Sequence, residues 1–306
     1  MLRQRILTAL IGLPGLVVLL GWGSFEVVQF FFLLCLGVSV FELSYMLQPR
    51  LDDLQIAFKS SDLRDGAAET AQEKRAAKTH DERKKSDLTF SAVLAVAAFL
   101  WAWSVIASPG LAGRGLVGVG FIFAMLSAIF VTRGIDAQMS RVFGATLALT
   151  YGAIPWLSVM DLYSMGSSGK YVFLLLIVVW CGDTGGYFGG RFFGKHKLAP
   201  HKSPKKTWEG SIAGLIASLV GALTYGWQMG PSLGSLPLVG FAAIATGIAG
   251  QLGDLTESVF KRFSKVKDSG AIFPGHGGFL DRTDALLTGA PVLWLVFYLA
   301  GVLGLN

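Results

Sequence analysis

Apolar runs of about 20 residues, each closed off by a short polar or charged connection, recur along almost the whole chain. That is the length a helix rising about 1.5 Å per residue needs to cross the hydrocarbon of a bilayer. The pattern predicts helices at 6–24, 26–47, 88–108, 115–132, 142–162, 171–190, 210–230, 236–256 and 285–305. The stretch from Gly210 to Gly253 carries no charge at all, but Gly230, Pro231, Gly234 and Pro237 interrupt its middle and make two spans of it. The expected fold class is therefore an all-α polytopic membrane protein with about nine transmembrane helices.

Charge tests that count independently, because each span added or lost inverts every later loop. With the N-terminus cytoplasmic and the C-terminus outside, 24 of the 26 Lys and Arg residues fall on the cytoplasmic side, and only Arg114 and Lys170 fall outside. Composition agrees, with 53% hydrophobic and 15% charged residues and a mean hydropathy of +0.57, values that exclude an ordinary soluble domain. The net charge of +6 raises nucleic acid as a partner by sign alone, yet the basic residues flank spans and no nucleic-acid motif accompanies them. Membrane lipids with anionic headgroups are the expected partner. Met1 to Gly23 has the basic start and apolar core of a signal peptide, but the core is long enough to span and another span follows at once. Cys35 and Cys181 lie inside predicted spans without a CxxC, so they are read as packing residues.

The chain divides unevenly. Residues 1–165 form an N-terminal transmembrane scaffold whose insert, 48–87, carries nine basic and nine acidic residues and reads as an exposed helical or solvated segment. Residues 166–306 hold the unusual chemistry. Gly182, Gly186, Gly190 and Gly194 repeat every four residues and share a helical face, a pattern common in plain helix packing. Asp183 lies in the same span, where a carboxylate must face a polar cavity, a cation or a partner such as Arg191. Behind it come Arg191, Lys195, Lys197, Lys202, Lys205 and Lys206. Such a cluster can neutralise a polyphosphate, although the positive-inside rule alone also makes basic loops.

Further on, Asp254, Glu257 and Ser258 occupy positions i, i+3 and i+4 and so share a helix face, and Asp281 and Asp284 repeat the i, i+3 spacing before the last span. Oxygen ligands without clustered His or Cys point to Mg²⁺ or another hard cation, and the neighbouring lysines point to phosphate. Between the pairs, "KDSGAIFPGHGGFLDRTDA" (267–285) combines charge with glycines that let the backbone turn tightly.

The segment "SVFKRFSKVKDSGAIFPGHGGFLDRTD" (258–284) closely resembles the signature of phosphatidate cytidylyltransferases, also called CDP-diacylglycerol synthases, and "GKHKLAPHKSPKKTWEG" (194–210) resembles their second common stretch. The resemblance implies a homodimeric enzyme of the bacterial inner membrane, with its site facing the cytoplasm, that condenses CTP with phosphatidic acid and requires divalent metal. It leaves room for a second metal or a monovalent cation. By motif, Asp254 and Asp281 would be metal carboxylates, Ser258 would lie beside them, and Asp284 would support the cluster. Lys202, Ser203, Lys205, Lys206, Lys261, Arg262, Lys267, His276 and Arg282 are candidates for substrate contact, and Asp183 would line the floor of the cavity. The insert is longer than the corresponding loop in many members. Two rivals stand beside this reading: a secondary transporter, which predicts midplane charge in pseudo-repeated spans, and a membrane phosphotransferase acting on another lipid phosphate.

Overall fold

A computed structural model describes residues 12, 14–61, 69–107, 135–166, 169–200, 202–273 and 277–305. A helical stretch at 14–22 leads into α1 (Phe25–Ser61), followed by α2 (Glu69–Ala107) and α3 (Ile135–Leu147). A π-helical turn at Ala148–Ala153 joins α3 to α4 (Ile154–Ser164). After α5 (Lys170–Phe193) come a two-stranded hairpin, β1 (Lys197–Ala199) and β2 (Ser203–Thr207), then α6 (Trp208–Met229), α7 (Leu236–Phe263) and α8 (Leu280–Leu303). Helices dominate because hydrocarbon offers a backbone no partners, so each apolar run must satisfy its own N–H and C=O groups.

Among the described residues seven segments are long and apolar enough to cross a membrane: 25–48, 86–104, 141–164, 170–193, 208–233, 236–263 and 280–303. They coincide with seven of the expected spans. The expected span 115–132 lies outside the described residues, and 6–24 is described only in its second half. The break foreseen after α6 is a single 3-10 turn, Gly230–Leu233, flanked by Gly230 and Gly234 at positive φ, with Pro237 starting α7 where its missing N–H costs nothing. The insert is helical where it is described, since α1 and α2 both continue beyond the apolar segments they contain.

The scaffold is built round α1, whose Val28, Leu33, Leu36, Val40 and Leu43 are fully buried. Arg141 meets Asp87 at 3.2 Å, with both side chains about 5% exposed, and lies 4.8 Å above the Phe90 ring. A pair this buried holds α2 to α3, because neither charge tolerates losing the other. In the second half α5 packs closely on α6, and α7 on α8. A Cβ on Gly210 would lie 2.8 Å from the Gly186 carbonyl, and one on Gly189 only 2.3 Å from the Ala213 Cβ. The glycine face of α5 is thus a helix-packing surface first. Trp156 of α4 stacks on Phe279 at 5.9 Å and brings the start of α8 against the scaffold.

The alternation of spans gathers the end of α5, the start of α6, the end of α7 and the start of α8 at one end of the bundle. Lys206 of β2 reaches Asp254 of α7 there, and Glu42 of α1 reaches the Leu280 amide of α8.

Candidate active site

At that end α5, α6 and α7 part around a cavity of about 390 Å³ whose polar wall carries Asp183, Lys205, Lys206 and Asp254. The connection 191–209 is more than a basic loop, because its hairpin is bolted to α6. Glu209 accepts the backbone N–H of Lys195 at 3.0 Å and of His196 at 3.2 Å, and its other oxygen lies 2.6 Å from His196 Nδ1. Thr207 caps α6 by accepting from Gly210 N at 3.2 Å. Lys206 is thereby aimed into the cavity, where its ammonium pairs with Asp254. Gln251, one turn below Asp254, donates to the Ser211 carbonyl at 2.9 Å and ties α7 to α6. Asp183 comes from the same α5 face as Gly182 and Gly186, which also line the cavity. Arg191 donates to Tyr187 Oη at 3.0 Å rather than serving Asp183.

A second polar group lies between α7, α8 and the connection joining them. Lys261 Nζ stands 2.5 Å from Glu257 Oε2 and 2.7 Å from Asp281 Oδ1. Asp281 Oδ2 accepts from Ser269 N and Gly278 N, both at 2.8 Å, and lies 3.2 Å from Ser269 Oγ. Asp284 accepts from the Ala285 amide at 2.8 Å and is near enough to Asp254, Glu257 and Asp183 to feel their charges. Ala285, the next residue, lines the cavity, so the two groups adjoin. Tyr151, presented by the π-helical turn, donates to the Gly253 carbonyl at 3.1 Å and meets Phe260 edge-on at 5.2 Å, which steadies α7 beside Asp254.

The structure therefore brings Asp183, Lys205, Lys206 and Asp254 to one cavity and places Lys261, Asp281 and Asp284 beside it. Ser258 is buried on α7 and Ser203 half-buried in β2. Lys202, Arg262 and Lys267 are exposed, and Arg282, also exposed, lies within reach of the Asp183 charge. His276 lies outside the described residues. Sequence reasoning missed Glu42 and Tyr151 and noted Glu257 only for its spacing. A signal for Glu42 existed, because it is a carboxylate inside an expected span, as Asp183 is. Tyr151 had none, since a tyrosine in an apolar run looks like any packing residue.

Whether this site fits a hard cation can be judged from its own atoms. Two lysine ammoniums already stand where cations belong, one on Asp254 and one between Glu257 and Asp281. Glu257 Oε1 is buried with no hydrogen-bond partner among the described residues. Among those residues no three His, Cys, Asp or Glu side chains converge as a ready-made cage. Oxygen donors in this number suit an ion that takes one or two carboxylates from the protein and its other ligands from phosphate and water, as Mg²⁺ does.

Comparison with known proteins gives a consistent answer. The profile of the cytidylyltransferase family matches residues 76–300. A phosphatidate cytidylyltransferase of Haemophilus influenzae is 51% identical over 126 residues, which is 39% of this chain and 44% of that protein. One from Staphylococcus epidermidis is 38% identical over 182 residues, 59% of this chain and 67% of that protein. One from Brucella suis is 37% identical over 201 residues, 64% of this chain and 72% of that protein. The matched segment of the family profile contains every element that builds the cavity and the α7–α8 carboxylates. With its membrane-spanning helices, its polar site at their ends and its bacterial relatives, this chain belongs to the cytidylyltransferase family.

Proposed function

We propose that the chain transfers the cytidylyl group of CTP to phosphatidate, giving CDP-diacylglycerol and pyrophosphate, in the cavity between α5, α6 and α7. The observation that carries this is the convergence of Asp183, Lys205, Lys206 and Asp254 on one cavity at the ends of three spans. A lipid phosphate whose tails stay in the bilayer and a nucleotide that arrives from water can meet only at such a boundary. Below the charges the wall carries Val178 and Val179 beside Ser218, Thr246 and Gly247, and the start of the acyl chains would lie against the two valines.

A phosphate oxygen of phosphatidate attacks the α-phosphorus of CTP. The new P–O bond forms as the α–β anhydride bond breaks, and its electrons leave with pyrophosphate. A phosphate monoester, with a second pKa of about 6, is already largely ionised near neutral pH, so no protein base has to remove a proton. The protein's task is to align two polyanions and offset their repulsion. Lys205 and Lys206 supply positive charge from the hairpin, and leaving Asp254 for phosphate is a short movement for the Lys206 side chain. Asp254 and Asp281 are the acids that would hold Mg²⁺, with Asp284 supporting them and Lys261 yielding its place at Asp281. Bound there, the ion would act as a Lewis acid on the phosphate oxygens.

An inner-membrane location with the site towards the cytoplasm belongs to the same proposal and is supported by the basic residues gathered at the active-site end. The homodimer implied by the family resemblance belongs to it too. The decisive experiment supplies purified protein with labelled CTP, phosphatidate and Mg²⁺. Labelled CDP-diacylglycerol with stoichiometric pyrophosphate is expected, and its absence from folded protein would refute the reading. An undecaprenyl phosphate control, from which no product is expected, separates this activity from other lipid phosphotransfer.

A further inference from the structure

Glu42 has no part in the chemistry described so far, yet it is a carboxylate within an apolar span and only 3% exposed. Its Oε2 accepts the Leu280 backbone N–H at 2.9 Å and the Ser269 hydroxyl at 3.1 Å. Leu280 is the first residue of α8, and Phe279 before it offers no side-chain cap. The unpaired N–H groups at a helix start need an acceptor. Here α1, more than 230 residues away in sequence, provides it. Ser269 hydroxyl also lies 3.2 Å from Asp281 Oδ2, and the Ser269 amide donates to the same oxygen at 2.8 Å. The contact is tight: a Cβ on Gly270 would stand 2.3 Å from Glu42 Oε1, and one on Gly278 2.7 Å from Oε2.

We infer that Glu42 is a positioning residue of the active site: by capping α8 and holding Ser269, it fixes the α7–α8 connection and the orientation of Asp281. Glu42 is not among the residues that line the cavity, and it acts through Ser269 and the Leu280 amide. The consequence for turnover rests on the functional reading above, whereas the consequence for the connection does not.

The test compares Glu42→Ala, Glu42→Gln and Ser269→Ala in the full-length protein, reading CDP-diacylglycerol synthesis and amide hydrogen exchange. Glu42→Ala should lower kcat by about 10–100-fold, the loss typical when a supporting partner of a site carboxylate is removed, with a smaller change in KM for CTP. Glu42→Gln keeps an acceptor for Leu280 and Ser269, so it should stay within a few-fold of the parent. In Glu42→Ala the amides of Ser269, Gly278 and Leu280 should exchange faster while those of α5 and α6 are unchanged. Faster exchange throughout the bundle, a parent-like kcat in Glu42→Ala, or equal damage in Glu42→Gln would each overturn the assignment. Should Glu42→Ala fail to fold, Ser269→Ala decides: it should lower kcat several-fold and loosen the same connection, and parent behaviour in both overturns the proposal. If the parent itself makes no CDP-diacylglycerol, the functional reading falls and the exchange pattern alone decides the positioning.

Discussion

At the scale of single residues, the lysines of the site determine how its carboxylates behave. Lys206 neutralises Asp254 at the cavity wall, and in the proposed reaction the same ammonium turns to phosphate. Lys206→Gln keeps much of the length and polarity but removes the charge. A fall in kcat/KM of about 10²–10³-fold is expected, the usual loss when a preorganised donor to developing phosphate charge is removed. Steady-state kinetics with CTP and phosphatidate varied separately would show it, and unchanged constants would leave Lys206 as a counter-ion of Asp254 alone. Asp281 and Asp284 separate in a similar way. Asp281→Asn takes charge from a carboxylate that meets Lys261 and two backbone amides, and turnover should collapse while the protein still folds. Asp284→Asn should cost about 10–100-fold. Turnover measured against Mg²⁺ concentration checks both, since a near-parental Asp281→Asn enzyme with an unshifted curve would remove Asp281 from the metal-holding set. The spacing of Asp254, Asp281 and Asp284 pointed to an acid group suited to a hard cation, and the family resemblance supplied the separate role expected of each. That Lys261, one turn beyond Glu257 on α7, also reaches Asp281 was not readable, because a connection of unknown path separates α7 from α8.

Among the elements, the α5–α6 pair and the hairpin between them carry the cavity. Their helices approach closely because glycine faces glycine, with the Gly186 carbonyl 2.8 Å from where a Gly210 Cβ would be. Gly210→Val should force the pair apart, lower stability by about 1–3 kcal/mol as overpacking commonly does, and move Lys206 away from Asp254. Thermal unfolding in detergent, alongside turnover, measures it; a variant with unchanged melting and activity would show that the helices can part without harm. The four-residue repeat of glycine announced a packing face but not its partner. The hairpin was hidden for another reason. "KLAPHKSPKKT" is lysine-rich with two prolines and lacks the alternating apolar pattern of a strand. The hairpin is closed instead at the start of α6, where Glu209 accepts the amides of Lys195 and His196 and Trp208 N donates to the His196 carbonyl at 3.0 Å.

For the molecule as a whole, the scaffold and the site are one structure. Glu42 of α1 holds the start of α8, and Trp156 of α4 stacks on Phe279 beside it. The charged insert is different, because α1 and α2 carry it beyond their apolar segments. Replacing residues 52–84 by a short Gly/Ser linker should leave a folded protein with turnover within a few-fold of the parent, since Asp87 and the spans it anchors are kept. Folded but inactive protein would make the insert part of the site. By itself the sequence determined the membrane class, the seven spans that the structure also shows, the family signature and the acids and lysines that carry it. These are legible because hydrocarbon thickness imposes span length and because phosphate chemistry restricts which side chains can serve it. Tertiary structure alone decided that Asp183, Lys205, Lys206 and Asp254 share a cavity, that Lys261 bridges Glu257 and Asp281, and that Glu42 reaches Ser269 and Leu280. Those contacts depend on how helices distant in the chain turn and pack against one another, and hydropathy sets which segments lie in the membrane without specifying which face of each meets which neighbour.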